Sequence, residues 1–257
     1  MITEPKIITI DRNNLAEYPD FVCFIPNKQS AHSLKTEWVK KRLSEGLKIK
    51  LLYIQGQKKA AGFIEYVPGE NVWRAVSAKG YLFIHCIYIY PNANKNKGMG
   101  SRLIAGCIAD AEQMNLNGVA VIASKRAFMA NDALFLKNGF LLCDNDGAGN
   151  DLLVYKLKDA PTPLINDWKK RLAGFQGLHI VYSKQCPWVA RMVEEIRESE
   201  IMQKTKLRIT ELKTPSEAQQ APSVYSTFNL IYNGKLLADR YISITRLNNI
   251  LKKEKLI

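Results

Sequence analysis

Apolar residues fall at helical spacing in "HSLKTEWVKKRLSEGLK", where Leu34, Trp38, Val39 and Leu43 share a face and the pattern ends close to Gly46. The period then changes. "IKLLYIQGQKKAAGFIEYV" predicts two strands around a Gln-Gly-Gln-Lys-Lys turn, and "GYLFIHCIYIY" is a β-branched and aromatic run of strand length. From Met99 onward, Leu103, Ile104, Cys107, Ile108, Ala111 and Met114 mark one buried helical stripe, which makes Cys107 a core residue instead of a reactive thiol. "GVAVIAS" follows as a short buried strand, "NDALFLKN" as a short helix stopped by Gly139, and "GFLLCDND" and "DLLVYKLK" as two closing strands.

"KDAPTPLIND" contains two prolines and interrupts this pattern, which sets a domain boundary near residue 160 and divides the chain into 1–160 and 161–257. Beyond it, "GLHIVYS" reads as a strand, "PWVARMVEEIRESE" as a helix and "KTKLRITEL" as a strand. "STFNLIY" and "KLLADRYI" form a hairpin turned by Asn233 and Gly234, and "SITRLNNILKKEKL" is a last helix. The second part is therefore a βαβ unit followed by ββα. The chain as a whole reads as α/β.

Composition changes this picture only modestly. A chain of 257 residues suits two domains, and 47% apolar with 24% charged residues supplies enough material for real cores. The net charge of +13 favours an anionic ligand such as a phosphorylated cofactor, or serves solubility alone. Basic residues interleaved with stacking aromatics are not evident, which weighs against nucleic acid as the partner. The five cysteines show no metal-type or paired spacing, and the start "MITEPKIITID" has no apolar h-region or cleavage site, so the expected location is a reducing cytoplasm. The longest apolar stretches fall short of the roughly 18 residues that span a bilayer, and no membrane is expected.

Candidate chemistry begins at "NKNKGMGSR". Gly98 and Gly100 stand between a strand and an amphipathic helix, where missing Cβ atoms let consecutive N–H groups turn toward one anion and the helix start adds favourable potential. Lys95, Lys97 and Arg102 add long-range attraction. Neither the Walker spacing nor the dinucleotide fingerprint fits.

The loop resembles the signature of the GNAT acetyltransferase superfamily, Gln/Arg-x-x-Gly-x-Gly/Ala after an apolar strand. Here it reads Lys95-Asn96-Lys97-Gly98-Met99-Gly100, with Lys in place of the first Gln or Arg. "NDALFLKNGF" resembles the family's second element, and the likeness spans roughly residues 5 to 158. It implies a GNAT acyl-CoA N-acyltransferase fold with a mixed, splayed central sheet and flanking helices. It also implies acetyl-CoA as cosubstrate, with its pyrophosphate on the backbone of Lys97, Gly98, Met99, Gly100, Ser101 and Arg102. The pantetheine arm would lie along the strand that carries Ile89, in place of a neighbouring strand.

An amine of a small molecule or peptide would attack the thioester directly, without a metal, while a backbone N–H stabilises the oxyanion. Glu65 and His85 are the candidates for the base that takes the amine proton, with a solvated strand face and a hydrogen-bonded core histidine as their plainer readings. The tyrosine that the family commonly uses to reprotonate the thiolate falls at Phe135, which has no proton to give. Tyr88 or Tyr90, or solvent, would have to serve. Asn131 is the nearest match to an asparagine that often accompanies this helix, and it stands with Phe135 as a cofactor contact. The acceptor is not identified, and a homodimer is compatible with the resemblance.

In the second part, "SKQCPW" puts Cys186 between a strand and a helix, where a helix N-terminus can acidify a thiol. The fourth position of a Cys-x-x-Cys pair is Val189, so no disulfide can form within this motif. Residues 175 to 255, with "CPW" and "IYNGKLL", resemble the YoaP-like domain, a thioredoxin-like fold found behind some GNAT domains, and Pro222 falls where that fold keeps a cis proline. Two further readings stay open: a thiol-dependent module using Cys186 beside a degenerate cofactor binder, and a basic scaffold for RNA.

Overall fold

The computed structural model describes residues 5–26 and 28–257, and the chain divides into two compact units. The first comprises the chain up to Ile25, Val39–Val72 and Ser77–Ile165; the second comprises Pro26–Trp38, Trp73–Val76 and Asn166–Ile257. Among the described residues no helix is long and apolar enough to cross a membrane.

The elements up to residue 156 are, in chain order, β1 (Lys6–Ile10), α1 (Ser30–Leu43), β2 (Lys48–Tyr53), β3 (Gly62–Pro68), β4 (Val76–Ser77), β5 (Tyr81–Ile89), α2 (Met99–Gln113), β6 (Gly118–Ala123), α3 (Asp132–Leu136), β7 (Leu141–Asn145) and β8 (Asp151–Lys156). Seven strands form one mixed sheet in the order β1-β2-β3-β5-β6-β8-β7. Only β5 and β6 are parallel neighbours; every other pairing in this sheet is antiparallel. A parallel pair needs a crossover, and α2 supplies it.

The expected stripe on α2 is present. Leu103, Ile104, Cys107 and Ala111 are buried together with Leu82 and Ile84 of β5, Ile64 and Tyr66 of β3, and Val119 and Val121 of β6. Met114 departs from the expectation: it is the C-cap, 42% exposed, because the helix has ended before its side chain could reach the sheet.

The same face of α2 carries a charge. Asp110 accepts hydrogen bonds from Lys48 Nζ at 2.9 Å, Lys50 Nζ at 2.7 Å and the Tyr66 hydroxyl at 2.6 Å, and Lys50 also donates to the Gly106 carbonyl at 2.8 Å. Lys48 and Lys50 alternate on β2 and so point to one side, the side that Tyr66, opposite Lys48, shares. Burial pushes the Asp110 carboxyl up, but the bonds from Lys50, Tyr66 and Lys48 outweigh it and hold the group below the ordinary carboxylate range. Burial and the nearby Asp110 charge push the Cys107 thiol well up, consistent with a packing role.

The second unit includes α4 (Lys169–Leu172), which follows the short β9 (Leu164–Ile165), then β10 (Leu178–Tyr182), α5 (Pro187–Arg197), α6 (Glu200–Lys204), β11 (Arg208–Glu211), α7 (Pro215–Gln219), β12 (Phe228–Tyr232), β13 (Lys235–Ala238) and α8 (Ile244–Lys253). Its four-stranded sheet has the order β11-β10-β12-β13, with β10 and β11 parallel and the other pairs antiparallel. Asn233 and Gly234, both at positive φ, turn the β12–β13 hairpin as their sequence suggests. The peptide before Pro222 is trans, so the expected cis proline is not found there. The long helix expected over 187–200 ends at Arg197, because Ser199 caps a new one, α6, by accepting from the Ile201 N–H.

Asp110 gives a stability prediction with a definite sign. Its folded-state pKa is depressed, so its contribution is present above the unfolded value of about 3.9 and is lost as pH falls through the folded one. Asp110→Asn should lower unfolding free energy at pH 7 by about 3 kcal/mol, since it leaves Lys48 and Lys50 facing a neutral partner. It should also flatten the loss of stability below pH 4, both read from urea denaturation across a pH series.

Candidate active site

The parallel ladder between β5 and β6 is short. It pairs Tyr81 with Gly118, Leu82 with Val119, Phe83 with Ala120 and Ile84 with Val121, and stops there, although β5 runs on to Ile89 and β6 to Ala123. Beyond Ile84, β5 keeps its other neighbour: Cys86, Ile87, Tyr88 and Ile89 still pair with β3. One edge of β5 is therefore left without a strand over the segment that precedes the glycine loop.

A β-bulge lies at the same place. Glu65 is opposite Cys86 and Tyr66 is opposite Ile84, so His85 is the extra residue on β5. Before the bulge Leu82 and Ile84 face the core under α2; after it Ile87 and Ile89 do. The inserted residue thus shifts the alternation by one, and Tyr88 and Tyr90 emerge on the opposite face.

On that opposite face, Glu65 and His85 meet. His85 Nδ1 lies 3.5 Å from Glu65 Oε1, and the two side chains are 0% and 2% exposed. The ring of His85 also lies beside that of Phe83, 6.1 Å between centroids. The separation is within ion-pair reach. The structure thus joins two residues that the sequence offered as separate candidates.

The loop following β5 delivers the chain to α2. Asn94 is buried and its amide donates to the Tyr90 carbonyl at 3.1 Å, which ties the loop back to the strand. Gly98 is the N-cap of α2 with φ +77°, and no side chain caps the helix. A Cβ at Gly98 would meet nothing within 4 Å, whereas one at Gly100 would lie 3.1 Å from Leu134 Cδ1. Gly98 answers a backbone need and Gly100 a packing one. The N–H groups at the start of α2 have no intrahelical acceptor, and the helix potential adds to them. Lys95, Lys97 and Arg102 are exposed, Met99 and Ser101 half-buried, around this end.

Two sequence candidates are already engaged elsewhere. Phe135 is fully buried, edge-on to Phe140 at 5.5 Å, so its side chain belongs to the core. Asn131 is the N-cap of α3, where its side chain accepts from the Ala133 N–H at 2.9 Å. Cys186 belongs to the second unit, as the N-cap of α5, and packs against that unit's apolar core together with the buried Val189. Sequence reasoning missed Phe24. Its ring lies 4.9 Å from Tyr90 and 6.0 Å from both Tyr88 and Phe63, and both Cys23 and Phe24 have positive φ. A tertiary contact of this kind leaves no periodicity to read.

Comparison with known proteins agrees with this architecture. Residues 18–140 match the acetyltransferase (GNAT) family and residues 206–249 match the YoaP-like family. The chain thus resembles a GNAT acetyltransferase domain followed by a YoaP-like domain. It is similar along nearly its whole length to the uncharacterized N-acetyltransferase YoaP of Bacillus subtilis (strain 168), with 28% identity over 251 residues, 95% of this chain and 97% of that protein. Among solved structures it resembles a GNAT-family acetyltransferase from Staphylococcus aureus Mu50, with a TM-score of 0.45 and 16% identity over 60% of this chain and 99% of that one. It also resembles a Bacillus subtilis acetyltransferase in complex with CoA, with a TM-score of 0.42 and 14% identity over 60% and 100% of the two chains.

The positive φ at Gly98 makes a graded prediction. Any side chain there has space but sits in a left-handed conformation, which asparagine accepts more readily than β-branched residues. Gly98→Val should destabilise the protein by about 1 kcal/mol more than Gly98→Asn, measured by chemical denaturation.

Proposed function

We propose that this chain transfers an acetyl group from acetyl-CoA to a primary amine by direct attack in a ternary complex. The observation that carries the reading is the parting of β5 from β6 beside an uncapped helix start. The open edge of β5 can pair with the amide groups of a pantetheine arm, as an added strand would. The N–H groups from Lys97 to Ser101 would hold the diphosphate, while the N–H of Arg102 donates to the Gly98 carbonyl at 3.0 Å, and the side chains of Lys95, Lys97 and Arg102 supply attraction at longer range. Ile89 lies on the strand segment that the arm would follow. Asn131 and Phe135, engaged in capping α3 and in the core, are not assigned to the cofactor in this reading.

In this reading the amine nitrogen attacks the thioester carbonyl carbon, and the C–N bond forms as the carbonyl electrons move to oxygen. A backbone N–H on the open edge of β5 stabilises that oxyanion. The proton lost by the amine goes to the Glu65–His85 pair, directly or through water. The C–S bond then breaks, and the thiolate takes a proton from Tyr88 or from solvent.

The division into a catalytic domain over 1–160 and an accessory domain over 161–257 belongs to the same proposal. The strand order β11-β10-β12-β13, parallel then antiparallel, supports a thioredoxin-like fold for the latter. The packing of Cys186 against the core favours a structural part for this residue over thiol chemistry. The five cysteines form no disulfide with one another, which suits a reducing cytoplasm.

Two outcomes are expected. Saturating acetyl-CoA should raise the melting temperature by about 5 °C or more, and Gly98→Val should abolish the rise; an unchanged melting curve for the wild-type chain would refute the reading. Glu65→Gln and His85→Ala should each lower kcat by about 100-fold while keeping the acetyl-CoA shift, measured by release of free CoA.

A further inference from the structure

We infer that the acceptor is a monoamine with a flat aromatic body, bound on the face of the sheet that carries Tyr88 and Tyr90. This assignment rests on the preceding proposal, since it names the partner of the same acetyl transfer.

The observations concern one patch of the first unit. Tyr88 and Tyr90 are 39% and 44% exposed, an unusual state for large rings on a central strand. They lie nearly parallel, 28° between planes with centroids 6.4 Å apart, and Phe24 continues the series at 27° and 4.9 Å from Tyr90. Phe63, opposite Tyr88 on β3, forms the floor. The backbone reaches this arrangement at a cost, because Cys23 and Phe24 both occupy the left-handed region without being glycine. Strain retained to place one ring against two exposed ones is more than the core requires.

The patch carries both an acid–base pair and a positive charge. Strand alternation puts Glu65 on the face of Phe63, and Cys86 on that of Tyr88, with His85 turned to the same side by the bulge. The Glu65–His85 pair therefore lies on the same face as the rings and next to the point where the β5–β6 ladder ends. Lys95 Nζ lies 5.7 Å from the Tyr88 ring centroid, which puts a positive charge over the same patch. An acceptor with its amine at the Glu65–His85 pair would lay its body along the rings and pass Lys95.

That charge selects the class. A polyamine or aminoglycoside would bring further positive charges toward Lys95 on a chain of net charge +13. A plain alkylamine would leave the π faces without a partner of matching shape. A single ammonium on an aromatic body satisfies the carboxylate, stacks on the rings and meets no repulsion from the lysine.

The test compares 2-phenylethylamine, n-propylamine and spermidine as acceptors by CoA release, for the wild type, Tyr90→Phe and Tyr90→Ala, with the acetyl-CoA melting shift recorded for each protein. Tyr90 is half out in solvent, so its truncation leaves the core intact. The wild type should show kcat/KM for the aromatic amine at least about tenfold above the other two. Tyr90→Ala should reduce the aromatic-to-alkyl ratio by about tenfold, chiefly through KM, and Tyr90→Phe should retain it. Equal or greater use of spermidine or propylamine, a ratio unmoved by Tyr90→Ala, or an intact melting shift with no transfer to any of the three overturns the assignment while leaving the cofactor site standing. Loss of the wild-type melting shift itself overturns both.

Discussion

The site depends on a strand that loses one neighbour and keeps the other. A β-strand whose two edges are both paired has no main-chain groups to offer a ligand, and a strand unpaired on both edges has no fixed position. β5 beyond Ile84 is between these states: β3 holds it in register to Ile89 while no strand pairs with its edge toward β6. Main-chain groups on an edge that faces no strand are open to solvent or ligand as partners. The rest of the first unit can be understood as what keeps that half-open edge rigid and places a helix start beside it.

Holding α2 is the second requirement, and it is met by charge as well as by apolar packing. Burying Asp110 against a sheet costs desolvation energy, which two lysines and a tyrosine hydroxyl offset in a geometry that a hydrophobic residue could not specify. An apolar stripe permits a helix to slide or rotate by small amounts; a carboxylate bound by three donors from two strands does not. The bond from Lys50 to the Gly106 carbonyl adds a further tie between strand and helix. The N-terminal turn, with Gly98 at its head, is thereby fixed relative to the open strand edge.

Much of this was legible in the sequence, and the boundary of legibility has a physical cause. The α2 stripe, the buried β6 run and the glycine loop are local patterns, set by periods of 3.6 or 2 and by residues that permit special backbone angles. β1, absent from the sequence reading, has only five residues, four of them exposed or half-buried, and leaves little alternation to detect. The Asp110 network joins positions about 60 residues apart, and the Glu65–His85 pair and the Phe24 contacts likewise depend on chain segments meeting in space. Phe135 was legible as a position without a proton donor; that its ring belongs to the core with Phe140 needed the packing.

The bulge at His85 connects these levels. Without it, strict alternation from Leu82 and Ile84 would carry Cys86 and Tyr88 to the α2 face and send Ile87 and Ile89 to the other side. A tyrosine would then enter a core built for isoleucine, and the opposite face would present aliphatic side chains to the acceptor. One unpaired residue reverses the phase, keeps the aliphatic residues under α2, and leaves the rings outside. The same residue turns its imidazole toward Glu65, and the ladder with β6 ends at the residue just before it. Strand departure, acid–base pair and aromatic face therefore arise from one local irregularity, so a change that removed the bulge would disturb all three together and could not tune any of them alone.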